Sequence, residues 1–200
     1  MRPYYEAGGI AIYHGDCREV GAWTEADVLL TDPPYGMTYQ SGWRDESNVA
    51  NDGTTGVRDA ALAAWTPPCW EGPGRPALVF GRWSVQRPAG TRFRLIWDKG
   101  DWPGMGNLSM PWGPSTEEVY VIGGGWGALR SPLLKRRGQI LRDPKRPTGE
   151  ASEHPTQKPV GLIEMLLAAC PPGTIADPFM GSGTTLVAAA GVGRKAIGRG

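Results

Sequence analysis

The stretch Val28-Leu29-Leu30-Thr31-Asp32-Pro33-Pro34-Tyr35-Gly36 runs an unbroken apolar segment into an aspartate and two prolines. Val28-Leu29-Leu30 reads as a strand, and the corner at its carboxyl end falls where open α/β sheets put their chemistry. The consecutive prolines remove two backbone donors and restrict the residue before each of them, so the corner is stiff and extended. It offers an aspartate, carbonyls with no competing N–H groups, and the Tyr35 ring from one place. That arrangement suits the grip of a flat group carrying an NH₂, such as a purine or a pyrimidine. Asp-Pro-Pro-x-Gly is also ordinary turn chemistry, with proline presetting φ and glycine supplying positive φ.

A second stretch makes the first more informative. Thr174-Ile175-Ala176-Asp177-Pro178-Phe179-Met180-Gly181-Ser182-Gly183-Thr184-Thr185 is a short apolar strand, an acidic residue and a glycine turn, followed by the helix-like Leu186 to Ala190. Gly181 and Gly183 let the backbone approach a ligand closely and bring a helix start towards the strand. A dinucleotide fingerprint would place a third glycine where Leu186 stands, and no Gly-Lys-Ser/Thr marks a P-loop. Together the two stretches resemble the amino-methylating DNA methyltransferases, whose motifs read Asp-Pro-Pro-Tyr and Phe-x-Gly-x-Gly. The order here, with the Asp-Pro-Pro-Tyr motif first, resembles the permuted beta subgroup.

The resemblance implies a Rossmann-like, S-adenosylmethionine-dependent methyltransferase fold. Its sheet would be mostly parallel with helices on both faces, and residues 1–200 would form a single methyltransferase domain with circularly permuted motif order. It also implies roles. Asp32, Pro33, Pro34 and Tyr35 become catalytic candidates; Asp177, Pro178, Phe179, Gly181, Ser182, Gly183 and Thr184 become cofactor candidates. Gly9 to Cys17 reads as a short strand ending in Gly15-Asp16, and Asp16 resembles the family's acidic residue beside the cofactor adenine, although a turn aspartate reads equally well. Glu153-His154-Pro155-Thr156-Gln157-Lys158-Pro159 resembles the segment that precedes the cofactor motif in this subgroup, making Thr156 and Lys158 candidates for the methionine end and His154 a weaker one. Pro159 also marks the start of a helix over Val160 to Cys170.

Charge is unevenly placed. The formal net charge is only +1, yet residues 130–146 carry Arg130, Lys135, Arg136, Arg137, Arg142, Lys145 and Arg146 against Asp143 alone. Such a cluster suits phosphate contact, a solvated loop being the plainer reading. Within the resemblance, residues 123–149 are a short basic target-recognition insertion. The implied partner is double-stranded DNA, with a homodimer and a cognate restriction nuclease left open.

Two hundred residues with 40% hydrophobic content suffice for one core. Cys17, Cys69 and Cys170 show no metal-ligand or redox spacing, and an odd count argues against a disulfide framework. With no membrane-length apolar run and no leader-like start, a reducing cytoplasm is expected.

Helical character is expected at Glu19 to Ala26 and at Val57 to Trp65. Strands are expected at Ala77 to Gly81, Phe93 to Trp97, Glu118 to Ile122 and Lys195 to Gly198. Residues 37–56 read as a loop next to the proline corner, with Trp43 and Arg44 able to meet DNA. Trp97-Asp98-Lys99-Gly100 and Glu117-Glu118 resemble later family motifs that shape the base pocket, but read first as structural. His14 reads as a structural histidine. After Gly198 the family usually carries an acidic residue that holds ribose hydroxyls, whereas this sequence has Arg199-Gly200; a fragment, or a site lacking that grip, would explain it.

The expected activity is methyl transfer from S-adenosylmethionine to adenine N6, with cytosine N4 and a non-catalytic DNA-binding remnant as alternatives. No metal is called for.

Overall fold

A computed structural model describes residues 2–19, 21–34, 55–67, 71–100, 109–126, 137–142 and 157–200. Its centre is a nine-stranded sheet in the order β1-β2-β9-β8-β3-β4-β6-β5-β7. The strands are β1 (Tyr5–Ala7), β2 (Ile10–Tyr13), β3 (Val28–Thr31), β4 (Ala77–Gly81), β5 (Thr91–Asp98), β6 (Thr116–Ile122), β7 (Ile140–Arg142), β8 (Ile175–Asp177) and β9 (Ala196–Arg199). From β2 through β9, β8 and β3 to β4 every pairing is parallel. β6 runs antiparallel to both β4 and β5. The parallel stretch and the final β5–β7 pair make the sheet mostly parallel, as expected.

The central strand β3 is buried along its whole length, which explains its lack of polar alternation. Successive residues of a strand point to opposite faces, and the core divides accordingly. Val28, Leu30, Leu78, Phe80 and Ile175 join α2 (Val160–Leu167) and α3 (Thr184–Gly191) on one side. Leu29, Ala77, Val79 and Ala176 join Trp23 and α1 (Gly56–Trp65) on the other. Helices therefore cover both faces. On the second face the Trp23 and Trp65 rings stack with centroids 6.3 Å apart, and the Arg75 guanidinium lies 3.6 Å over Trp65.

Some boundaries differ from expectation. The segment expected to be helical over Glu19 to Ala26 is a 3₁₀ turn at Gly21–Glu25, because Trp23 is drawn into the core and its indole N–H donates to the Cys17 carbonyl at 3.0 Å. α2 ends at Leu167 rather than Cys170, ahead of Pro171-Pro172, and Pro159 takes its N-cap position. Residues 123–149 read in sequence as an insertion without a strand, yet Ile140–Arg142 forms β7, paired parallel to β5 at the sheet's border. Three residues with one buried side chain give too little pattern to recognise. Cys17 and Cys170 are buried free thiols, while Cys69 lies outside the described residues. No helix among the described residues is long and apolar enough to cross a membrane.

Candidate active site

β3 and β8 are parallel neighbours, so their carboxyl ends open on one border of the sheet. Asp32 follows β3, and Asp177 closes β8. Thr31 joins them by donating from Oγ1 to Asp177 Oδ1 at 2.7 Å. Asp177 is 3% exposed and also accepts from the Phe179 backbone N–H at 3.2 Å. Burial pushes its carboxyl up to about 6, against hydrogen bonds from Thr185 and Thr31 that favour the charged form.

The glycine turn follows directly. Gly181 and Gly183 have φ of +50° and +78°, and a Cβ at either would meet nothing within 4 Å among the described residues. Bare backbone thus faces open space at the start of α3, where Gly183 is the N-cap and Ser182 Oγ lies 3.2 Å from Thr184 Oγ1. Pro178 is buried; Phe179 packs against the core face that carries α1. Across from Asp177 on β9 stands Gly198, where a Cβ would lie 2.6 Å from Leu186 Cδ2 and 2.7 Å from Met180 Sδ. Only glycine lets that strand pass under the turn.

Asp16 lies further along the same border, after β2. Arg18 holds it through its backbone N–H and its Nε, each at 2.8 Å, and its guanidinium keeps the Asp16 carboxyl well below the usual carboxylate range. Arg199 is a β9 residue paired with Tyr13, and its Nε is buried without a hydrogen-bond partner among the described residues.

Lys158 is placed differently from Asp16. Its Nζ donates to Asp32 Oδ2 at 2.5 Å and lies 3.3 Å from Glu117 Oε2, with the lysine side chain 10% exposed. The carboxyl oxygens of Glu117 take Lys158 on one side and Lys99 on the other. Opposite charge on both flanks holds Glu117 below its ordinary range despite burial. Because β6 is antiparallel to β4 and β5, its amino end and the end of β5 lie on the border that carries Asp32. Asp98, next to Lys99, turns instead to Arg142 at 2.9 Å.

The family model of N6/N4 DNA methylases matches residues 75–199. The chain belongs to that family. Methylases of this family use S-adenosylmethionine as methyl donor. The chain is 25% identical to the type II methyltransferase M.ScaI of Streptomyces caespitosus, over 98% of this chain and 79% of that protein. Its fold is similar to that of M1.HpyAVI in complex with S-adenosylmethionine, with a TM-score of 0.58 at 22% identity over 95% and 92% of the two chains. It is similar as well to the cytosine-N4-specific PvuII DNA methyltransferase, with a TM-score of 0.66 at 14% identity over 99% and 84%.

In this DNA methylase the fold thus brings Asp32, Lys158, Asp177 and the glycine turn to one border. Tyr35, Trp43, Arg44, His154, Thr156, Arg130, Lys135, Arg136, Lys145 and Arg146 lie outside the described residues. Of the basic cluster, Arg137 donates to the Met165 carbonyl at 3.2 Å, and Arg142 is an exposed partner of Asp98. His14 is exposed. Lys99 and Glu117 read first as structural in the sequence, yet they reach the Asp32 cluster; their charge at a strand end is the available signal.

Proposed function

We propose that this DNA methylase transfers a methyl group to the N6 amino group of an adenine in double-stranded DNA. The observation that carries the reading is the Thr31–Asp177 hydrogen bond, which ties the proline corner to the glycine-turn strand on one border of the sheet. A methyl donor against Gly181–Gly183 and a base at Asp32 would be neighbours. The residues present fit such a donor: open space over two positive-φ glycines, a buried carboxyl at Asp177, and Asp16 further along. Asp177 would face a cationic end of S-adenosylmethionine, with Ser182 and Thr184 supplying hydroxyls. When bound, that group supplies an electrophilic methyl.

The protein's own part is to present the amine. An amino group inside a duplex is out of reach, so the nucleotide must leave the stack at a cost of a few kcal/mol. Its nitrogen is a poor nucleophile while the lone pair is delocalised into the ring. Asp32 and the Pro33 carbonyl accept its two hydrogens and favour a tetrahedral nitrogen, and Tyr35 stacks on the base. The stiffness of the two prolines keeps those acceptors in place before the base arrives, so alignment supplies much of the acceleration. Asp32 or water takes the proton once positive charge has developed. Lys158, bound to Asp32, serves that carboxylate in this reading rather than the cofactor.

Aspartate at the head of the corner favours adenine, since cytosine-N4 enzymes more often begin this motif with serine. The basic residues of 130–146 would contact phosphates. Likeness to a type II methyltransferase supports a companion restriction nuclease, and sedimentation of the full chain decides between monomer and homodimer. The test is transfer of radiolabelled methyl from S-adenosylmethionine to DNA of mixed sequence, followed by nucleoside digestion. N6-methyladenine is expected; N4-methylcytosine would move the target to cytosine, and no labelled nucleoside would remove the enzyme reading.

A further inference from the structure

Two carboxylates share one buried ammonium. Lys158 Nζ sits 2.5 Å from Asp32 and 3.3 Å from Glu117, and its side chain is more enclosed than either acid. The Phe80 ring, 5.1 Å away, adds a further favourable face. A lysine so enclosed keeps its charge only beside opposite charge. Two acids around one base would in turn leave excess negative charge, which Lys99 offsets on the far oxygen of Glu117. The result is an alternating row: Asp32, Lys158, Glu117, Lys99. Its ends come from sequence positions 67 apart, brought together by the antiparallel strand β6.

We propose that Glu117, backed by Lys99, is a positioning residue for methyl transfer: it anchors the Lys158 ammonium against Asp32, so that the carboxylate meets the incoming amine charged and fixed in orientation. The inference rests on the reading of Asp32 as hydrogen acceptor. Glu117 need not touch the base. Without it, Lys158 keeps Asp32 but loses the Glu117 counter-charge and its lateral hold. The ammonium should then deprotonate at lower pH, releasing Asp32. Among the described residues, the charged groups bearing on Lys158 include Asp32 after β3 and Glu117 on β6, with Lys99 after β5 acting through Glu117, and Asp177 on β8 close enough to Asp32 to feel its charge.

The experiment compares the full-length wild type with E117Q, E117D and K99M. It measures single-turnover methyl transfer against pH, S-adenosylmethionine affinity by calorimetry, and the Lys158 ammonium titration by nitrogen-15 NMR. E117Q is expected to slow the transfer by roughly 10–100-fold, the scale seen when a partner that orients a metal-ligating side chain is removed. Its alkaline limb and its Lys158 titration should both move to lower pH, with cofactor affinity unchanged. E117D should restore both, whereas K99M, which removes a like charge and leaves Glu117 to Lys158 alone, should move both to higher pH. An active wild type with E117Q unshifted in both titrations overturns the proposal, even if the rate falls with thermal stability. A folded wild type that transfers no methyl to any DNA removes the underlying reading of Asp32 instead.

Discussion

Asp32 and Asp177 stand at neighbouring strand ends in opposite surroundings. Asp32 meets an ammonium, whereas Asp177 is sealed among hydroxyls and a backbone N–H. Asp32→Ala should lower single-turnover methyl transfer by at least roughly 10²–10⁴-fold while leaving the circular dichroism unchanged, because the side chain lies outside the packed core. Retained turnover would take Asp32 out of the mechanism. Asp177 carries a pH signature. Its folded carboxyl titrates at about 6, against 3.8 for the ordinary group, so the folded chain binds that proton more tightly than the unfolded one. The residue's contribution to stability should therefore decline as pH rises from about 4 to about 6 and level off above, a decline that Asp177→Asn removes. Denaturant midpoints at several pH values check this. The cofactor should behave in the opposite sense: if the ionised carboxylate is what it needs, affinity drops up to about tenfold per pH unit below about 6, and Asp177→Asn is weak and flat.

Among the elements, α1 is fastened chiefly through its last residue. Trp65 is 1% exposed between the Trp23 ring and the Arg75 guanidinium, and Arg75 also donates to the carbonyls of Thr24 and Trp65 at 2.6 and 3.2 Å. Trp65→Ala should cost about 3–5 kcal/mol of stability, read from urea unfolding, since it leaves a large void and strips the cation of its aromatic face. At α3 the decisive residue is the N-cap. Gly183→Ala puts a side chain at φ +78°, for about 1–2 kcal/mol, but the new methyl meets no atom of the described residues. A loss of S-adenosylmethionine affinity at full folding would therefore report the ligand itself against that turn. Unchanged binding would move the cofactor elsewhere.

For the whole molecule, net charge of +1 hides a basic segment beside a largely acidic remainder. DNA affinity should fall steeply with salt, and replacing Lys135, Arg136 and Arg137 by alanine should flatten the log–log slope by roughly 0.9 for each phosphate no longer neutralised. Filter binding across a salt series measures it; an unchanged slope assigns the segment to solvent. Much of this architecture was legible in the chain. The apolar run of β3, the β-rich runs of β4 to β6 and the glycine turn before α3 are local patterns, set by steric rules that act within a few residues. β1 and β7 were not legible, being three residues each with little alternation. Nor was the division of Glu117 from Glu118. Adjacent on one strand, they point apart, Glu117 to Lys158 and Lys99, and Glu118 to Arg94 at 2.6 Å and to the Tyr120 hydroxyl. By itself the sequence determined the proline corner, the glycine turn and their kinship, because each depends on backbone conformation encoded by its own residues. Only the tertiary structure decided that Lys158 serves as partner to Asp32, 126 positions away, and that Lys99 and Glu117 complete the row. Such pairings follow from strand order and direction, which no local pattern specifies.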